Sequence, residues 1–393
     1  MSCCAVFWCC AVVTTRCNAH RSRPLRDFVR YAPLLFFVVS CTTQSGGRST
    51  NTLEHARHRP PLPIDSATES LLPQGRIEQL LRQHDVAGVS YAALSSCKVT
   101  ATGTAGYAEV RTKTPVNASP VIEAASRSKP VFAWLVMALV EDGIVGLDQP
   151  FSETGYRYPR IVDTRRYAVL TPRLVLMHRT GLPNWAGDSG EPDRTTRIEF
   201  EKEPGAAHSY SGEGYLLLQS YIEDVTRKRL EQIFQERLGL LMPNSTFKRP
   251  LPSGTEPSQG YAVVGETGSD VAPFWRENAA FSLATTARDF AKFLGTVCRQ
   301  EGLARGTYSE MLSVQAQEVE PDGQQIRWRL GWQALTINGR DAIYHTGDNA
   351  NYIALAVLFP DNGEGYVVLT NSGSGLGFSM QFLREVRAKR GDP

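Results

Sequence analysis

Ser126 and Lys129, in the stretch Ser126-Arg127-Ser128-Lys129, lie three residues apart at the head of a strongly apolar run. A serine hydroxyl is a weak nucleophile at its own pKa and needs a base to take its proton. Residues i and i+3 at the start of a helix share a face, so a lysine amine can be that base with no histidine involved. The same spacing recurs at Ser95–Lys98 and Ser245–Lys248, and context separates the three. Ser95 falls in a polar turn between two strand-like runs, and Ser245 follows Pro243-Asn244 in a loop. Only Ser126 leads into a helical pattern, in which Val131, Trp134, Leu135 and Ala138 form an i, i+3, i+4, i+7 stripe. Pro130 is tolerated only in a first turn, which sets the helix start near Ser126.

A nucleophile and its base still require a proton shuttle and an oxyanion site. Tyr210 stands among small residues just before a helical stretch. His345-Thr346-Gly347 ends a strand, with a glycine that allows close approach to the backbone. Tyr215 lies nearby, and either tyrosine could instead be a packed aromatic facing the core. His178 and His208 are assigned to structure. There is no Gly-x-Ser-x-Gly and no His-Glu-x-x-His, which argues against an α/β-hydrolase and a zinc protease.

The elements that must position these residues are legible in outline. A short amphipathic helix spans about 76–84, and strand-like runs cover 86–94 and 99–110. The Ser126 helix stops at Glu141-Asp142-Gly143. From about 150 to 270 the chain reads as loops and helices. Thr171-Pro172 opens one helix with an N-cap and a first-position proline. A long helical stretch runs from about 215 to 240, and Thr286-Ala287-Arg288-Asp289 caps another helix. Strands then return: 332–337 and 341–345 flank the hairpin signal Asn338-Gly339, and 352–359 and 365–369 flank Asp361-Asn362-Gly363. A helix over about 377–389 closes the chain. Strands at both ends with helices between predict an α+β fold. One antiparallel sheet is built from both termini and flanked by helices, with a mainly helical insertion at about 150–270.

In this order and at these intervals the three segments resemble the serine β-lactamase and penicillin-binding superfamily. The closest pattern is its class C β-lactamase, DD-peptidase and esterase branch, which carries Ser-x-x-Lys, then Tyr-x-Asn, then Lys-Thr-Gly or His-Thr-Gly. Residues 174–183 and 282–289 are also similar to that family, and the likeness covers roughly 70–390. It implies a covalent acyl-enzyme on Ser126, with Lys129 as the amine that deprotonates it and Tyr210 passing protons to the leaving group. Which of Lys129 and Tyr210 acts as first base stays open. It further implies an oxyanion hole from the backbone N–H groups of Ser126 and Asp348, with Thr346 and Gly347 lining the substrate site.

Two departures bear on substrate. Gly212 stands where many relatives have Asn, which removes a side-chain amide and favours esters or small amides over β-lactams and peptides. His345 replaces the usual lysine. A histidine lowers the pKa of Lys129 only when protonated, so desolvation must keep the amine neutral; activity is expected to rise from about pH 6 to about pH 8. The resulting expectation is a serine hydrolase acting on an ester or amide, a class that includes β-lactams and D-amino-acid peptides. The alternative is a ligand-binding or scaffold protein that keeps the fold without turnover.

Charge and cysteines narrow the class further. The chain has 42 Lys and Arg against 40 Asp and Glu. Five arginines and one aspartate fall in the first forty residues, leaving 37 against 39. A nearly neutral body with no basic stripe excludes nucleic acid as a partner; the expected partner is a small-molecule or peptide substrate. No cysteine cluster has zinc spacing, and neither metal nor cofactor is expected. Only Cys97 and Cys298 lie in the body, and their pairing is left open by sequence. Arg21, Arg23, Arg26 and Arg30 precede an apolar run over 31–39 that closes with Val38-Val39-Ser40-Cys41. This resembles a bacterial lipoprotein signal over residues 1–40, with cleavage before Cys41, lipidation of that cysteine and anchoring to a membrane; a plain secretory signal is the other reading. Residues 1 to about 24 exceed what such a signal needs, which points to an over-extended start. Residues 41–66 read as a flexible tether and 67–393 as the catalytic domain.

Overall fold

The computed structural model describes residues 70–187, 195–255, 257–264, 268, 277–319 and 325–390. The signal segment, Cys41 and the tether lie outside the described residues. In chain order the elements are α1 (Gln74–Gln83), β1 (Gly88–Ser95), β2 (Lys98–Glu109), β3 (Thr114–Pro115), β4 (Ile122–Glu123), a 3₁₀ turn (Ala125–Arg127) and α2 (Ser128–Glu141). A second 3₁₀ turn (Phe151–Thr154), α3 (Thr164–Tyr167), α4 (Pro172–Leu176), α5 (Gly212–Thr226) and α6 (Leu230–Leu238) follow. The chain ends through β5 (Ala284–Thr285), α7 (Ala287–Arg299), α8 (Arg305–Leu312), β6 (Ala316–Val319), β7 (Gln325–Arg329), β8 (Trp332–Ile337), β9 (Arg340–Asp348), β10 (Ile353–Phe359), β11 (Glu364–Thr370) and α9 (Gly375–Lys389).

Among the described residues the main sheet has nine antiparallel strands in the order β3-β2-β1-β11-β10-β9-β8-β7-β6. The first long strand therefore pairs with the last, Val89 opposite Thr370 and Leu94 opposite Gly365. This is the α+β sheet from both chain ends that the sequence predicts. Alternation along β1 sorts the core. Val89, Tyr91 and Ala93 face a layer formed by α1 and α9, while Ala92 and Leu94 face the larger cluster that contains α2, α5 and α7.

Several local expectations change. All twelve residues from Ser128 to Leu139 are buried, so α2 is enclosed on every side and its apolar stripe is only part of its contact surface. The expected long helix over 215–240 is two helices, because Arg227 adopts a left-handed conformation (φ 54°) that ends α5. Strands β6 and β7 were not foreseen. Capping follows the sequence closely: Thr171 Oγ1 accepts from Leu174 N–H and Thr286 Oγ1 from Asp289 N–H. Cys97, in the β1–β2 turn, is disulfide-bonded to Cys298 of α7, which resolves the pairing left open by sequence.

Candidate active site

Ser126 sits in the 3₁₀ turn that precedes α2, one residue after Ala125, whose φ is +48°. A non-glycine residue with positive φ is held there by its surroundings, and three contacts do so here. Ser128 Oγ donates to Ala125 O (2.7 Å) and accepts from Leu283 N–H (2.9 Å). Ala124 N–H donates to Leu283 O at 2.8 Å. The short pairing of β4 with β5 extends this contact, with Glu123 opposite Ala284. The segment around 278–285 is thus fastened alongside the serine.

That fastening places a carbonyl under the lysine. Lys129 Nζ donates to Ala280 O at 2.9 Å and lies 3.3 Å from Ser126 Oγ. Lys129 is 1% exposed, and among the described residues no carboxylate pairs with it. Burial alone pushes its pKa well below the usual lysine range. A neutral amine held by one carbonyl keeps a lone pair for the hydroxyl beside it. Ser126 itself is only half-buried.

Tyr210, not Tyr215, reaches the serine. Its hydroxyl faces Ser126, which opposes the rise in pKa that burial imposes on the phenol. Lys129 Nζ lies 4.7 Å from the centroid of the Tyr210 ring. Tyr215 is fully buried, with its hydroxyl directed to Leu176 O at 3.4 Å. The residue that orients Tyr210 is His178, assigned to structure by sequence. Its Nδ1 accepts from Ser211 N–H at 3.0 Å, and its ring stacks on Tyr210 with centroids 4.3 Å apart. His178 is fully buried, and burial followed by the charge of Lys129 lowers its pKa well below the ordinary value, so it acts as a neutral acceptor.

The third segment comes from β9. β8 pairs with β9 only as far as Tyr344, which leaves the β8-side edge beyond it without a partner strand among the described residues. Asn349 N–H donates to Tyr352 O; by antiparallel alternation the N–H of Asp348 points away from β10, toward that open edge. Gly347 is required by proximity: a Cβ there would lie 2.3 Å from Ala124 O and 3.0 Å from Ala125 Cβ. Asn349 Nδ2 donates to buried Glu123, pinning the strand end to the turn that carries Ser126. Ser126 N–H lies in a first helical turn, where N–H groups have no intrahelical acceptor. Thr346 is half-exposed and Asp348 exposed.

His345 is 2% exposed, its Nδ1 lies 2.6 Å from Thr346 O, and Nε2 is buried without a partner among the described residues. A carbonyl can only accept, so Nδ1 carries the proton and Nε2 is a bare acceptor. Burial, with the charge of Lys129 second, pushes its pKa down to about 3. His345 is neutral at any ordinary pH. Arg127, adjacent to the serine, is fully buried with its guanidinium 3.8 Å from the Phe290 ring centroid, and its Nε and Nη2 have no partner among the described residues.

At Gly212 the side-chain space is occupied by Trp185, which no motif or spacing singled out. Two cavities of about 370 Å³ each lie elsewhere, one lined in part by Glu231, Ser245 and Thr246 and the other by Glu109, Pro115 and Gln259. Neither includes Ser126, Lys129 or Tyr210.

Comparison with known proteins follows the same outline. Penicillin-binding protein 4* of Bacillus subtilis (strain 168) is 30% identical over 312 residues, covering 71% of this chain and 67% of that protein. Protein flp of Staphylococcus aureus (strain MW2) is 22% identical over 317 residues, covering 76% of this chain; the match spans 62% of the length of that relative. Among solved structures, a D-amino acid amidase from Ochrobactrum anthropi SV3, complexed with L-phenylalanine amide, matches with TM-score 0.67 and 22% identity over 81% of this chain and 99% of its own. An octameric penicillin-binding protein homologue from Pyrococcus abyssi matches with TM-score 0.66 and 20% identity over 77% and 74%. The beta-lactamase family profile matches residues 74–384, nearly the whole described body, and the chain belongs to that family.

Proposed function

We propose that this protein is a serine hydrolase of the class C β-lactamase, DD-peptidase and esterase branch, cleaving an ester or amide through an acyl-enzyme on Ser126. The observation that carries this reading is the Lys129 amine 3.3 Å from Ser126 Oγ, buried and without a carboxylate among the described residues. Lys129 takes the hydroxyl proton as Oγ attacks the substrate carbonyl carbon. The resulting oxyanion is met by the N–H groups of Ser126 and Asp348, donors of a kind typically worth about two to three powers of ten in rate. As the tetrahedral species collapses, the Tyr210 phenol protonates the leaving oxygen or nitrogen and recovers its proton from the Lys129 ammonium. Water, deprotonated by the same pair, then attacks the acyl carbon and frees Ser126. His345 takes no proton in this scheme, because it is neutral throughout.

The amidase and penicillin-binding relatives support an ester or amide as the bond broken. Export with lipidation at Cys41 belongs to the same reading. A closed Cys97–Cys298 bond accords with an oxidising compartment, such as the periplasm or cell surface. The test is labelling of purified protein with a fluorescent penicillin and a fluorophosphonate, together with turnover of p-nitrophenyl acetate. Label and turnover are expected in the wild type and lost in Ser126→Ala. Turnover unchanged in Ser126→Ala would overturn the reading, and inertness of the wild type toward every probe would favour a scaffold.

A further inference from the structure

Gly212 opens α5 two residues after Tyr210, and the volume a side chain would fill there is already taken. A Cβ at 212 would lie 2.3 Å from Trp185 Cη2 and 2.6 Å from Cζ2 and Cζ3. The indole is held from both sides along the chain. Asn184 accepts from Gly212 N–H through its carbonyl oxygen (3.1 Å) and its Oδ1 (3.0 Å), and from Glu213 N–H at 3.1 Å. Ala186 N–H donates to Glu213 Oε1 at 2.9 Å. Glu213 is gripped in turn by Arg160 through two bonds of 2.7 and 2.9 Å. Both neighbours of Trp185 are therefore fixed to the first turn of α5, which holds the backbone that carries the indole in place.

Across from this turn the indole meets Phe281 edge-on, with centroids 5.5 Å apart and planes at 90°. Phe281 follows Ala280, the acceptor of the Lys129 amine. The indole thus bridges the segment that presents Tyr210 and the segment that holds Lys129. Phe281 is buried, while Trp185 is only half-buried, between the segment that presents Tyr210 and the one that holds Lys129, whose amine is 3.3 Å from Ser126 Oγ. We infer that Trp185 is a specificity-determining wall on the acyl side of the Ser126 site. It selects substrates whose acyl part is a flat apolar group, where a polar side chain at 212 would select one carrying an amide. Gly212 is the condition for this wall, since any larger residue would displace the ring. The inference rests on Ser126 being the nucleophile, and its test separates the two.

Two esters with the same leaving group, p-nitrophenyl phenylacetate and p-nitrophenyl acetate, isolate the acyl part. The kcat/KM ratio of the first to the second is expected to fall about 10-fold or more in Trp185→Leu, an aliphatic of good bulk. In Trp185→Phe, which restores an aromatic face, most of the ratio should return. An unchanged ratio in Trp185→Leu, or an equal fall in both variants, would overturn the wall. Thermal midpoints of both variants identify any general loss of fold, and the Phe variant then decides by itself: a retained ratio supports the wall, a collapsed one overturns it. If the wild type turns over neither ester, the nucleophile reading falls separately. Titration calorimetry with phenylacetate then judges the wall: binding in the wild type that weakens in Trp185→Leu supports it, and binding that is equal or absent in both overturns it.

Discussion

His345 shows how burial decides what a residue can contribute. A histidine in solution changes charge near pH 6.5; here it stays neutral down to about pH 3. A rise in activity with pH, as expected from sequence, is therefore assigned to Lys129, whose pKa burial lowers, favouring the neutral amine. His345→Gln should keep this rising limb in its pH–rate profile; loss of the limb would show that His345 is the titrating group. The same variant should change acid stability. Below pH 6.5 the unfolded chain binds a proton at His345 that the folded chain refuses, so folded stability falls as the pH drops from about 6.5 toward about 3. Denaturant midpoints between pH 7 and pH 4 should fall less in His345→Gln than in wild type. Ser126 and Lys129 were readable from sequence because their meeting depends on helical spacing alone. Tyr210 was singled out by motif order, but the ring that packs against it, His178 from across the chain, was not legible as its partner. Trp185 left no trace at all: nothing about a lone tryptophan says that it fills the space above a glycine 27 positions later.

At the level of elements, α5 is the hub. Its N-terminal turn is capped by Ser211, whose Oγ accepts from Gly214 N–H at 2.8 Å, and it anchors the 184–186 segment through Glu213. The Arg160–Glu213 pair is 6% and 0% exposed, a burial at which removing one partner leaves a stranded charge costing about 3–5 kcal/mol. Glu213→Gln should destabilise the fold by that order in urea unfolding; a change below about 1 kcal/mol, typical of a surface pair, would contradict this account. Elements with local signals were legible: the capped helices α4 and α7, the Asn338-Gly339 hairpin, and the apolar strands β10 and β11, buried along their length. β6 and β7 were missed because they are rich in Gln, Glu and Arg and close one edge of the sheet, where polar strands are the rule. The break after α5 was missed because Arg227 gives no warning of its left-handed backbone.

On the scale of the whole molecule, the sequence pattern gave the sheet from two chain ends because strands cluster at both and helices fill the middle. It left open whether the Cys97–Cys298 clasp would form, since that depends on α7 lying across the β1–β2 turn. The proposed export predicts a partition measurable on cells. Cys41→Ser should move the protein from the membrane fraction to the soluble exported fraction, and equal membrane retention of both forms would remove lipidation from the reading. The strand order carries one more consequence. β1 lies between β2 and β11, so during synthesis its outer edge must wait for nearly all of the remaining chain before it finds its partner. Ser126 and Lys129 leave the ribosome early, yet Gly347, which abuts the turn behind the serine, emerges more than two hundred residues later. On the proposed reading, a growing polypeptide carries its nucleophile long before it has the ledge to hold a reacting carbonyl, and that chemistry stays dormant until the tail has docked.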